Sequence, residues 1–323
     1  LIEKIKYYWN NFSRLPLISR LILWAKNTTF PGFDGVPVYN SLVFVYDESM
    51  KDDIMMRSRA ISFSFFIALI PAIIFLLTLL PFLPFTDFYI DTWKNSLTGL
   101  LPLQVENYIF NLMDTLGKKT HYSSQVISLI LMLYFSSNGV SSILLSFHKT
   151  YKSTYRQRNY FQHKLMSLQI TFLLFLFMVV SSSFVIVGNL WLEKLLDYLS
   201  FDFVSRFLIY IIKWLAVTMV IYIIVALLYK FGPAMKKRMK FISPGAGVAT
   251  FLAIISSLGF SYYVNNFNSY NQIYGSLGAI IVTMIWIQLN SLALIVGYEL
   301  NASIAVNRDL DKVILRNKKR KKK

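Results

Sequence analysis

Residues Leu277–Ile304 read LGAIIVTMIWIQLNSLALIVGYELNASI and carry a single charged side chain, Glu299. A helix rises about 1.5 Å per residue, so about 20 apolar residues cross the hydrocarbon core of a bilayer. This run is long enough to span. It is continuous rather than alternating, which excludes a barrel strand. Working outward, five more runs of the same kind precede it: Ile61–Phe85, Gln125–Phe147, Leu165–Trp191, Phe207–Tyr229 and Ile242–Val264. The expected fold is all-α, a polytopic membrane protein with a six-helix transmembrane domain over 59–305. An amphipathic segment and linker, 1–58, comes before it, and a basic tail, 306–323, after it.

The composition agrees. The chain has 323 residues, of which 55% are hydrophobic and 15% charged, and its mean hydropathy is +0.51. Soluble domains carry about 25% charged residues. Disorder is excluded by 27 Phe, 20 Tyr and 6 Trp. With no cysteine there is neither a disulfide nor thiolate chemistry. No cleavable signal peptide is legible, because Leu1–Phe30 is mixed and charged with no apolar core. A start at Leu1 rather than Met is expected of a trimmed or processed chain.

The net charge of +17 would point to nucleic acid in a soluble protein. Here its distribution gives topology instead. Eight basic residues precede the first span, from Lys4 to Arg59. The loop between the second and third spans holds Lys149, Lys152, Arg156, Arg158 and Lys164, and that between the fourth and fifth holds Lys230, Lys236, Lys237, Arg238 and Lys240, neither with an acid. Nine more lie between Arg308 and Lys323. The opposite loops hold Lys94, Lys118, Lys119 and Lys194 with the acids Asp87, Asp91, Glu106, Asp114, Glu193, Asp197 and Asp202. Basic loops stay in the cytoplasm, so both termini are expected inside. Lys236, Lys237, Arg238 and Lys240, with the KKRKKK tail at Lys318–Lys323, are expected to meet anionic lipid head groups. No nucleic-acid partner is expected.

Outside the spans, residues 2–26 carry Ile2, Ile5, Trp9, Phe12, Leu15 and Ile18 at near-helical spacing among basic residues. Such a segment lies in the cytoplasmic interface or packs under the bundle. Residues 27–58 contain Pro31, Gly32, Gly35 and Pro37 and read as a turn-rich linker, with a short strand at Leu42–Tyr46. Between the first two spans, 88–101 and 103–116 have helical apolar spacing, and Pro102 suits a helix start. Two short amphipathic helices are predicted there on the outer face. They would cap a cavity, shield the bundle or bind envelope proteins.

Ionisable groups inside spans are functional candidates by default. Lys213, beside Trp214, either snorkels or serves a site. Glu299 either pairs with a basic loop or lines a pathway, while Arg57 and Arg59 read as topology signals. Asn138 in the second span, and Asn290 and Asn301 in the sixth, either glue helices together or line a polar cavity. Positions 290, 294, 297 and 301 share one helix face. Pro71 is expected to kink the first span. The loop Asn265–Ser276, NNFNSYNQIYGS, is uncharged. With Tyr262, its Asn266, Tyr270, Asn271 and Tyr274 suit hydrogen bonding to sugars, glycerol or head groups, and equally a self-satisfied turn ending at Gly275. The only histidines, His121, His148 and His163, have no metal-ligand spacing, and no Gly-rich phosphate loop follows a strand. No catalytic residue, metal or cofactor is expected.

Several of these residues also carry a family resemblance. Tyr229, Phe231-Gly232-Pro233, the basic stretch and Ser243-Pro244-Gly245 are followed by YYVNNFNSYNQIYGSL at Tyr262–Leu277, Trp286 and Gly297-Tyr298-Glu299-Leu300-Asn301-Ala302. Together they resemble the YihY / virulence factor BrkB family. Ser62–Pro71 and Leu100-Leu101-Pro102 fit more loosely, and Phe147-His148-Lys149 departs where members often have an Asn. The resemblance implies a six-helix protein of the bacterial inner membrane. Some members once bore the label ribonuclease BN, regarded as mistaken, and others are linked to serum resistance.

Sparse intramembrane charge, polar positions in several spans, a proline in the first span and basic inner loops point to transport of a lipid or other amphipathic envelope molecule. The alternatives are a small-solute or ion transporter using Lys213 and Glu299, and a non-catalytic envelope scaffold.

Overall fold

A computed structural model describes residues 16–51, 53–79, 110–111, 122–148, 150–199, 203–266 and 276–321. The described residues form eight helices: α1 (Pro16–Asn27), α2 (Val38–Lys51), α3 (Ile54–Leu79), α4 (Tyr122–Ser146), α5 (Tyr160–Leu199), α6 (Phe203–Phe231), α7 (Pro244–Asn266) and α8 (Ser276–Lys321). Among the described residues there is no strand, only an isolated antiparallel bridge between Tyr155 and Met235.

Local chemistry starts these helices. Asp53 Oδ1 accepts the Met56 amide at 3.0 Å and caps α3. Gln162 Oε1 accepts the Asn159 amide at 3.3 Å, the reciprocal half of a capping box at the head of α5. At α7, Ser243 caps the Ala246 amide at 3.4 Å and Pro244 takes the first helical position, where a missing N–H costs nothing.

Among the described residues, four stretches are long and apolar enough to cross a membrane: Leu129–Ser146, Trp214–Phe231, Pro244–Tyr263 and Ile280–Leu310. Of the other two apolar runs, residues 61–79 lie in α3 and residues 165–191 in α5. Exposed side chains support a lipid-facing exterior. Leu165, Leu168, Phe172 and Leu176 on α5, and Phe251, Ile255 and Leu258 on α7, form apolar stripes at helical spacing that face outward. A soluble helix turns that stripe inward.

The buried centre gathers at one end. Ile61, Ile143, Phe147, Tyr229, Ile295 and Tyr298 belong to one cluster, with the Phe147 and Tyr298 rings stacked at 4.0 Å. α3 lies along α4, and α8 packs against α2, α3 and α7. Along α8, every residue from Gly297 to Val306 is buried. Ser303 reaches the Ser41 carbonyl of α2 at 3.2 Å. The α7–α8 crossing is close because Gly245 and Gly297 face each other: a Cβ on either would collide with the other's carbonyl oxygen.

The 27–58 region corrects one expectation. Its turn, 28–37, holds Gly32, Asp34 and Gly35 at positive φ, and α2 follows. The strand expected at Leu42–Tyr46 lies inside that helix. Ser41 and Glu48 are buried and Val45 packs against the cluster that includes Phe33 and Ile304, a spacing of four and three residues that belongs to a helix, not a strand. Pro71 falls within α3. Beyond Val306, α8 continues as helix to Lys321. Apart from Phe110 and Asn111, the outer helices predicted at 88–101 and 103–116 lie outside the described residues, as do Tyr270, Asn271, Tyr274 and Gly275 and most of 2–26 before Pro16.

Candidate functional site: a basic basin between two loops

The two acid-free basic loops meet. Around the Tyr155–Met235 bridge, the Arg156 amide donates to the Ala234 carbonyl at 2.7 Å and the Lys236 amide to the Thr154 carbonyl at 2.9 Å. Side chains reinforce the pairing. Arg158 donates Nη1 to the Gly232 carbonyl at 2.6 Å and Nη2 to the Pro233 carbonyl at 3.3 Å, while Lys236 Nζ reaches the Lys152 carbonyl at 2.6 Å. The Arg158 bonds satisfy the Gly232 and Pro233 carbonyls just past the end of α6.

Between the start of α5 and the end of α6 this clasp leaves a cavity of about 420 Å³. Arg156, Arg158, Lys230, Lys236 and Arg238 line it, with Met166, Phe231 and Pro233 as apolar wall and no Asp or Glu. Its size falls in the range of ligand pockets, about 300–1,000 Å³. Arg238 lies over the Phe231 ring at 5.5 Å and Lys230 over the same ring at 5.6 Å, so the apolar wall also carries cations. Burial, and then the neighbouring Arg238, hold the Arg158 guanidinium below its ordinary value. Like charges crowded without a counter-charge make a site for an oxyanion. Lysine and arginine side chains are hydrogen-bond donors without an acceptor, which matches the lone pairs of an oxyanion.

Beside the basin, Asp34 receives Lys240 Nζ at 2.7 Å and Arg308 Nη1 at 3.0 Å. The Lys240 hydrogen bond is the largest effect; burial opposes it, and with the added help of Arg308 the carboxyl is held below the usual carboxylate value. This clamp ties the 28–37 turn to the loop before α7 and to α8.

The family model described as Virulence factor BrkB matches residues 45–322. The chain belongs to this family. Among BrkB-family relatives, a Bacillus subtilis (strain 168) protein named ribonuclease-like protein YfkH is 28% identical over 255 residues, covering 76% of this chain and 88% of that protein. A UPF0761 membrane protein of Xanthomonas campestris pv. campestris (strain B100) is 24% identical over 274 residues, 82% of this chain, and one of Xanthomonas oryzae pv. oryzae is 25% identical over the same length. The chain spans 60% of the length of these Xanthomonas relatives. No solved structure matches it significantly. The chain is thus a membrane protein of the BrkB family. Among its described residues, no group of three or more His, Asp or Glu is placed to hold a metal ion.

In this BrkB-family chain the residues singled out from sequence fall in different places. Lys236 and Arg238 line the basin. Lys237 lies with Lys240 on the side facing Asp34. Asn138 Oδ1 accepts Lys164 Nζ at 2.6 Å, joining α4 to α5. Asn290 donates to its own helix at Trp286 and accepts Ser257 Oγ from α7 at 3.4 Å. Asn301 is a cap supplied by a neighbour: its Oδ1 accepts the Gly245 amide at 2.9 Å and its Nδ2 donates to Ser243 Oγ at 2.9 Å. The 290–301 face therefore packs on α7.

Glu299, fully buried, pairs with Arg57 at 2.9 Å. Its partner is the first turn of α3 rather than a loop, so Arg57 is an internal ion-pair partner as well as a topology charge. Tyr262 is exposed on α7. Lys213 stands in α6 and Asn266 ends α7; their side chains, like the tip of the 265–276 loop, lie outside the described residues. Arg156, Arg158 and Lys230 complete the basin although sequence counted them only for topology. The available signal was two acid-free basic loops, and nothing local says that they touch.

Proposed function

We propose that the chain is a six-span protein of the bacterial inner membrane, with both termini in the cytoplasm, that moves a lipid or other amphipathic envelope molecule across the bilayer. The observation that carries this proposal is the basin. Five cations stand over an apolar wall between the inner ends of two helices, the two chemistries of an amphiphile with an anionic head. By the charge distribution it opens at the cytoplasmic face, where such a head group would be collected or delivered. The alternative of a small-solute or ion path loses support because Glu299 is committed to Arg57.

The test is lipid movement in proteoliposomes. Fluorescent anionic phospholipid on both leaflets is quenched from outside. Quenching beyond that of protein-free vesicles, reduced in Arg156→Gln/Lys230→Gln, is the expected result. Well-folded protein that adds no quenching for any anionic lipid, with or without an imposed ion gradient, would overturn transport of this class.

A further inference from the structure

We propose that the basin is a phosphomonoester site: the amphiphile it serves is recognised through a terminal phosphate on its head group. That the phosphate sits on an amphiphile rests on the transport proposal; that the basin takes phosphate does not.

Three features select phosphate. The first is charge. Five cations line the cavity with no carboxylate among its lining residues, and a phosphomonoester brings about −1.5 to −2 at neutral pH where a phosphodiester brings one charge. The second is geometry. Both Nη atoms of Arg158 are bonded to the Gly232 and Pro233 carbonyls, so one guanidinium plane is fixed in advance while Arg156 and Arg238 can offer planar forks to phosphate oxygens. Less side-chain freedom is then lost on binding. The third is repulsion. Arg158 and Arg238 oppose each other's charge, a cost that an incoming dianion relieves. A zwitterionic head group would bring its own cation into the same crowd.

The site also spans the clasp. Arg156 and Arg158 come from the loop before α5, Lys230 from the end of α6, and Lys236 and Arg238 from the loop before α7. A phosphate seated there adds a further tie between segments already joined by the backbone bonds at Arg156 and Lys236 and by the Arg158 side chain. Occupancy should therefore stabilise the folded protein.

The experiment uses the full chain in phosphatidylcholine nanodiscs. Thermal stability is followed on adding inorganic phosphate, or on doping the disc with phosphatidic acid (a monoester) or phosphatidylglycerol (a diester). Expected is an upward shift with phosphatidic acid, at about tenfold lower lipid content than phosphatidylglycerol requires, and a weaker shift with inorganic phosphate. Arg156→Gln/Lys230→Gln, which spares the Arg158 bonds, should lose both shifts. Lys26→Gln, which removes a charge of α1 that lies over Tyr39 of α2, should keep them. Equal response to the two lipids would overturn the monoester. Response to inorganic phosphate alone would overturn the amphiphile, and an unchanged response in the double variant would overturn the location. Phosphatidic acid that binds but is not translocated in the proteoliposomes would sink transport and leave the phosphate site standing. Transport without any phosphate response would do the reverse.

Discussion

Arg57 and Glu299 lie 242 positions apart in the chain, and Arg57 Nη2 donates to Glu299 Oε1 at 2.9 Å. The same guanidinium donates Nη1 to the Ser146 carbonyl at 2.7 Å, so one side chain from α3 closes the end of α4 and neutralises the acid of α8. Removing one member of a buried pair leaves an uncompensated charge, which costs about 3–5 kcal/mol. Arg57→Ala and Glu299→Ala should each lose about that much stability in detergent. The double variant should lose clearly less than the two together, because the pair is one interaction. Additive losses by denaturant unfolding would count against a structural pair.

The two glycines at the α7–α8 crossing make a sharper structural prediction. Gly245→Ala and Gly297→Ala push a methyl into the facing backbone, and overpacking of this kind costs about 1–3 kcal/mol or more. Gly247 and Gly259, on the same α7 with open space around them, should gain up to about 1 kcal/mol from the same change through helix propensity. Melting temperatures of the four single variants decide it.

Asn301 separates architecture from pathway. Asn301→Ala removes the acceptor for the Gly245 amide and the donor to Ser243, a capping loss of about 1–2 kcal/mol. Stability should fall while lipid movement per folded molecule stays near that of the parent. A variant of parental stability with abolished movement would return Asn301 to the pathway.

Acid should open the Asp34 clamp. Its folded-state carboxyl sits below the unfolded value of 3.8. Its contribution to stability is therefore fully present well above that value and is lost as pH falls through the lowered one. The stability difference between the parent and Asp34→Asn should be constant near neutral pH and shrink only below about pH 4. A difference that vanishes already near pH 6 would assign the effect to another group.

Topology can be read directly, since the chain has no cysteine. A cysteine at Lys321 should react with a membrane-impermeant maleimide only after permeabilisation of spheroplasts, and one at Lys118 in intact spheroplasts. The opposite pattern would invert the proposed orientation.

The helices were legible because an apolar run such as Leu277–Ile304 leaves the backbone no other way to satisfy its hydrogen bonds in lipid. Leu42-Val43-Phe44-Val45-Tyr46 misled because β-branched and aromatic residues suggest a strand. The deciding fact, burial of Ser41 and Glu48, comes from α8 and Tyr151 far along the chain. The site was half legible. Lys236 and Arg238 were picked out by charge, but the bridge that brings Arg156 and Arg158 beside them joins residues with no shared local pattern. The same is true of Arg57 and Glu299.

Tyr298 shows what this end of the bundle implies mechanically. Its hydroxyl donates to the Phe147 carbonyl at 2.7 Å and so accepts from Tyr155 at 2.8 Å. With Ser303 on α2, Asn301 on α7 and Glu299 on α3, α8 is pinned on every side over little more than one turn. A rigid-body motion that spared these bonds would have to pivot there. The lever arm then runs to the opposite membrane face, where a small rotation sweeps its widest arc.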